Sequence, residues 1–248
     1  MSIVPFSEPI AAPAAHVSPT AAPSVVRDHL VVVELRPGQV LSGPGEPLDH
    51  LYLPETAVVA EELDGRLPFA VVGRGGIIGG AAVLGAATAR ARAVVYVGGR
   101  SARVSAETLR WLHDESPAVR AWLGAHLRLD FLRLAHRSSC AGTHRVVARL
   151  ADLLVALHES TTSASIPLTH EQLAAMLAVQ RRATVTVAVG ELRAAGTVAL
   201  GRRGLKVLDP TALCRFACGC HHAARFAAAR EAITARVRLA TSSAALLA

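Results

Sequence analysis

The stretch from Leu168 to Leu208 constrains the fold more than any other part of the chain. "LTHEQLAAMLAV" opens with Thr169, a good helix cap, and carries Gln172 three positions later, the spacing of a capping box. "QRRATVTVAVGELRAAG" supplies a second helix after a short turn, with two arginines at its start. "TVALGRRGLKVLD" then supplies two short apolar strands around Gly201-Arg202-Arg203-Gly204, a tight hairpin with arginines at its tip.

Helix, turn, helix and hairpin in that order are the parts of a winged helix-turn-helix, which sets its second helix in the DNA major groove. Leu173, Leu177, Val185 and Leu192 read as packing residues. Thr169, with the amides that follow it, is placed to hold a phosphate. Gln180, Arg181, Arg182 and Thr184 are expected at the N-terminal end of the second helix, where arginine can pair with guanine and glutamine with adenine. Thr186 is expected to touch a thymine methyl or a phosphate, and Arg202 and Arg203 to meet backbone phosphates. Charge follows the same division. Residues 168–208 hold 6 basic and 2 acidic side chains, whereas 27–115 hold 9 basic and 11 acidic, in a chain of net charge +7. Positive charge gathers where a phosphate-binding module needs it.

The fold class expected is α+β. Residues 1–26, rich in Ala and Pro, read as a disordered tail without the build of a signal peptide. Residues 27–115 carry short apolar strands punctuated by Gly and Pro turns, as in a sandwich or barrel, here a double-stranded β-helix of jelly-roll type. Residues 116–143 read as one long helix, started by Ser116-Pro117, with an apolar stripe of Val119, Trp122, Leu123, Leu127, Phe131 and Leu134. That stripe is read as a seam for a partner helix. Residues 144–222 form the reading domain, with a helix over about 144–159 and a linker at 160–165, and 223–248 form a helical tail.

This order of modules resembles the Crp/Fnr family of bacterial transcription regulators. "LTHEQLAAMLAV", "RAAGTV" and "GRRGLKVLD" carry the likeness in the reading domain. "LDHLYLPETAVV", "VVGRGGIIGG" and "RARAVVYV" carry it in the roll, and "CAGTHRVVARLADLL" and "ALCRFACGC" around them. The resemblance implies an effector-sensing, cyclic-nucleotide-binding-like domain, a dimerisation helix and a dimeric, sequence-specific DNA-binding regulator. It implies effector contacts near Gly79, Gly80, Arg90 and Arg92. The chain departs from the family's phosphate cassette. Gly80 stands where cyclic-nucleotide binders have a ribose-binding glutamate, and Ala91 where they have the phosphate-binding arginine. Losing both removes charge-assisted bonds worth on the order of 1.5–3 kcal/mol each, so cyclic AMP is not the expected effector. A second departure lies in the turn, where Ala178 replaces the usual glycine and one extra residue falls around Gln180–Ala183.

Double-stranded DNA and a second copy of the chain are the partners expected, RNA polymerase being a further one open to such a regulator. No membrane and no resident cofactor are expected, and cytoplasmic localisation is. Neither a catalytic set nor an assigned metal set stands out. The alternative is a metal or redox sensor built on Cys214, Cys218 and Cys220, with His221 and His222 adjacent and Cys140 able to approach in space. A cupin-like enzyme is less favoured, because the roll holds only His29 and His50.

Overall fold

A computed structural model describes residues 22–63 and 67–221. Its first half holds strands β1 (Val31–Leu35), β2 (Val40–Ser42), β3 (His50–Pro54), β4 (Val58–Leu63), β5 (Leu67–Val72), β6 (Arg92–Val97) and β7 (Gly99–Ser105). They form two antiparallel sheets, ordered β1-β7-β3 and β2-β6-β4-β5. Strand alternation decides what each face covers. In β3, Tyr52 turns toward the second sheet and packs with Val59, Val72 and Val95. Leu51 and Leu53 turn the other way, beneath α1 (Ser24–Arg27), α2 (Ala106–Glu115) and the start of α3 (Pro117–Thr143). This arrangement is compatible with the jelly-roll expectation.

Two expected boundaries move. Ala22 and Val26 are buried against the roll, so the tail read as running to residue 26 meets the core by residue 22. Residues 1–21 and the C-terminal tail at 223–248 lie outside the described residues. The linker read at 160–165 is mostly structured. Helix α4 (Val146–Thr161) runs through its first residues and closes at Thr162, whose φ is +53°. Ser165–Ile166 form β8, because a fully buried Ile166 pairs with Leu205.

Helix α3 starts as its sequence implies. Ser116 accepts from the Val119 amide and Pro117 occupies the first turn. Its apolar stripe then divides. Val119 and Leu123 are buried with the roll, whereas Phe131 is 68% exposed and Leu134 37% exposed. His126 is buried on the same helix, its ring nitrogen 2.9 Å from the Trp122 carbonyl. Burial pushes its pKa down to about 4.

The last part holds α4, β8, α5 (His170–Met176), α6 (Arg182–Ala194), β9 (Val198–Gly201), β10 (Gly204–Val207) and α7 (Pro210–Phe216). Its core does not stop at the domain boundary. Val58 and Val97, on the four-stranded sheet, are buried in one cluster with Leu150, Leu154, Leu173, Leu192 and Leu213. The reading domain is docked on the roll. No helix of the described residues is long and apolar enough to cross a membrane.

Candidate nucleic-acid interface

The first helix of the reading head is fixed by its cap. Thr169 Oγ1 accepts from the Gln172 amide at 3.1 Å, and Gln172 Oε1 accepts from the Thr169 amide at 2.9 Å. Each side chain satisfies an amide that the helix start leaves open. Leu173, Leu177, Val185 and Leu192 are all buried, as their spacing implies.

The turn holds the altered residue. Ala178 takes φ of +51°, the left-handed conformation that an alanine adopts only at a cost on the order of 1–2 kcal/mol. Two carbonyls beside it are held from outside the head: Arg137 on α3 donates to the Met176 carbonyl, and Arg149 on α4 donates to that of Leu177. Arg137 also donates to the Pro68 carbonyl of β5 at 3.0 Å, so one guanidinium joins roll, long helix and reading head. Its desolvation pushes its pKa down to about 10.

The second helix of the head starts later than expected. Helix α6 begins at Arg182, with Arg181 extended as its cap at φ −108° and Gln180 in the turn. Gln180 and Arg181 therefore stand ahead of the helix rather than in its first turn. Both are exposed, as are Arg182 and Thr184. Val185, Ala188, Val189 and Leu192 form the buried face of α6. At 100° per residue the opposite face centres on Ala183, Val187 and Gly190, with Arg182 and Thr186 on one flank. Val187 is 64% exposed. Sequence reading passes over this valine, although its spacing from the four buried residues already puts it on the outer face. The Thr186 hydroxyl is bonded within the protein. It lies 3.0 Å from His170 Nδ1 and donates to the Arg182 carbonyl at 3.3 Å, leaving its methyl group outward as the simpler contact.

The hairpin is a wing of three strands, β8-β10-β9. Gly204 is required by closeness, because a Cβ there would stand 2.2 Å from the Ile166 carbonyl oxygen and 2.7 Å from the Leu168 nitrogen. Arg202 and Arg203 form the exposed tip between β9 and β10.

The residues named in the roll are placed differently. Gly79 has φ of +81° and abuts the His50 carbonyl, and Gly80 is buried against Leu127 of α3. The cavity beside Gly79 measures about 70 Å³, small against the several hundred typical of a ligand pocket. Arg90 is exposed, and Arg92 pairs with the buried Glu62 at 3.2 Å. A larger cavity of about 220 Å³ lies elsewhere, between β5, α3, α4 and the end of α5, lined by Glu61, Asp130, Arg133, Arg137 and Arg149 among others. Burial, helped by Asp130, raises Glu61 there to about 7.

The cysteines regroup as well. Cys214, on α7, is exposed and apart from the cluster expected for it, while Cys218 and Cys220 are joined by Cys140 and His144. His222 lies outside the described residues.

Residues 148–216 match the Crp-like helix-turn-helix domain. No curated protein matches the chain. Among solved structures, the fold is similar to TTHA1359, a transcriptional regulator of the CRP/FNR family from Thermus thermophilus, at 25% identity and a TM-score of 0.61, covering 75% of this chain and 98% of that one. It is similar to FixK2 from Bradyrhizobium japonicum at 19% identity and a TM-score of 0.62, covering 76% and 97%. The c-di-GMP responsive global regulator CLP of Xanthomonas campestris matches at 18% identity and a TM-score of 0.56, covering 74% and 96%.

Proposed function

We propose that the chain is a Crp/Fnr-type transcription regulator, because residues 148–216 match the Crp-like helix-turn-helix domain and the fold resembles regulators of that family, and that it reads DNA through that domain. It binds a two-fold symmetric site as a homodimer, with α6 of each copy in the major groove. The observation that carries this reading is the exposed, basic start of α6 beside an arginine-tipped wing on the same domain. Arg182 heads α6 and reads a base edge, a bidentate guanine contact being the natural one. Gln180 and Arg181, just ahead of the helix, reach the flanking bases or phosphates. Thr184 and the Thr186 methyl add shorter contacts. The small outer face of Ala183 and Gly190 permits close approach to the groove. Thr169, with the amides at the start of α5, and Arg202 and Arg203 on the wing hold phosphates and set the register.

The exposed second half of the α3 stripe supports a dimer seam. Among the described residues Phe131 is left 68% exposed and Leu134 37%, and two long helices packed there would set the reading heads about one DNA turn apart. The roll does not take cyclic AMP. Gly80 packs on Leu127, Arg92 is engaged by Glu62, and the cavity beside Gly79 is only about 70 Å³ and has no arginine among the described residues that line it. An effector near Gly79, Gly80, Arg90 or Arg92 would need a different chemistry, and it must favour one orientation of the reading head to have any effect. The protein works in the cytoplasm, where its DNA is, and RNA polymerase is the partner through which an activating outcome would run.

Selection of bound sequences from a random DNA pool tests the reading. An inverted repeat is expected to be enriched by the full chain and lost by Arg182→Ala. Binding that is weak, salt-sensitive and without a motif would remove sequence-specific recognition by α6.

A further inference from the structure

We propose that Cys140, His144, Cys218 and Cys220 form a zinc site that fastens the end of the reading domain to the junction between α3 and α4. The ligand atoms of these four residues all lie within 4.8 Å of one another. Cys140 Sγ is 3.5 Å from Cys218 Sγ, and Cys220 Sγ is 3.5 Å from His144 Nδ1. With Zn–S bonds of about 2.3 Å and Zn–N bonds of about 2.0–2.1 Å, a tetrahedron has edges of about 3.8 Å between sulfurs and about 3.6 Å between sulfur and nitrogen. Both measured pairs are close to those edges.

The backbone assembles the set from two directions. Cys140 and His144 stand four residues apart where α3 ends. There His144 leaves the helix as its cap, with its amide bonded to the Cys140 carbonyl at 3.1 Å. Cys218 and Cys220 flank Gly219, whose φ of +77° turns the chain so that both thiols face the same point. Helix α4 holds that turn in place. Asp152, 8% exposed, accepts the Gly219 amide at 3.1 Å through one oxygen and the His221 amide at 3.0 Å through the other. The Cys218 amide donates to the Ala148 carbonyl at 3.3 Å. Buried carboxylate support of this kind orients the groups that carry ligands.

Three sulfurs and one imidazole suit zinc, which takes soft and borderline donors in a tetrahedral set. Four protein ligands complete its coordination, so the ion is a staple and not a reaction centre. Arg137 and Arg149 line the same cavity as Cys140 and Cys220, placing positive charge on the side of the site where those two sulfurs lie. The staple ties the segment after the wing to the hinge on which the reading head meets the long helix.

The test uses the full chain, purified under reductant without chelator. Elemental analysis is expected to find one zinc ion per chain. After its removal, cobalt(II) is expected to give the intense bands of a tetrahedral thiolate site and to be displaced by zinc. Cys218→Ser and Cys220→Ser lose the ion and the cobalt spectrum, while Cys214→Ser keeps both. Circular dichroism reports whether the serine variants fold. Should they fail to, the exposed ligand is replaced instead, and His144→Ala is expected to weaken zinc at least about tenfold in competition with a chromophoric chelator. The proposal is overturned by a reduced protein that takes up no zinc, or by equal loss in Cys214→Ser. It is also overturned by His144→Ala leaving affinity unchanged, by bound iron with sulfide, or by a metal-free Cys140–Cys218 disulfide as the resting form.

Discussion

Two regions of this molecule are built in opposite ways, the reading head and the α3–α4 junction. In the head, Thr169 is capped by Gln172 three positions away, α6 starts beside the turn that orients it, and the wing pairs Gly204 with Gly201. At the junction, Cys140 meets Cys218 across 78 positions, Asp152 holds amides 67 and 69 positions away, and Arg137 joins α3 to Pro68 and Met176. Short loops close at little entropic cost, so local contacts specify the head cheaply. Contacts between distant residues form only when several elements are already in place. The head should therefore tolerate change one residue at a time, whereas the junction should report on the docking of roll, helix and head together.

The largest effects are expected at the junction and along its helix. Asp152→Ala strips partners from two amides, each worth about 1–3 kcal/mol when left unpaired. A stability loss on the order of 3 kcal/mol should appear in urea unfolding, and a change under a few tenths would break the comparison. Acid acts on α3 through His126. Its folded pKa near 4 lies below the ordinary 6.5, so the unfolded chain takes up a proton that the native state refuses. Stability should fall as pH drops from about 6.5 toward 4, by on the order of 3 kcal/mol. Glu61 has the opposite sign. Its raised pKa near 7 means the native state keeps a proton that the unfolded chain has released, so its contribution is lost as pH rises from about 4.5 through 7. His126→Gln should flatten the acid arm of the profile and Glu61→Gln the neutral arm; unchanged slopes in both variants would reject the assignment.

Effects in the head are smaller and separable. Arg182→Ala should cost about 1–3 kcal/mol of specific DNA binding and relax one position of the site, while Arg202→Ala and Arg203→Ala should weaken all sequences alike and lower the salt slope by about 1 each. Equal loss of specificity from wing and helix would erase that division. Ala178→Gly should stabilise the protein by about 1 kcal/mol, because glycine takes φ of +51° without strain. Gly190→Ala has open space for its Cβ and should stabilise α6 by about 0.5–1 kcal/mol. If that variant folds better and binds DNA worse, Gly190 faces the groove closely; unchanged binding would place the close approach elsewhere.

Within the site, legibility follows range. The capping box, the strained Ala178, the packing leucines and the arginine-tipped wing can all be read from neighbouring residues. The start of α6 falls later than its sequence suggests, since its cap, Arg181, makes no side-chain capping bond of the kind that marks a helix start in the sequence. Val187 is legible by its offset from Val185, Ala188 and Leu192, a signal that attention to the arginines hides. The Thr186–His170 bond joins two helices whose crossing no periodicity describes.

By itself the sequence determined the order of modules, the reading head and the packing residues of its two helices, because caps, turns and periodic burial are interactions over a few residues. Tertiary structure alone decided that the reading domain docks on the four-stranded sheet, and that Arg92 belongs to Glu62. It also decided that Cys214 stays apart while Cys140 and His144 join Cys218 and Cys220. Those outcomes depend on which distant surfaces find a common core, and that is settled by the burial of the whole chain rather than by any segment of it.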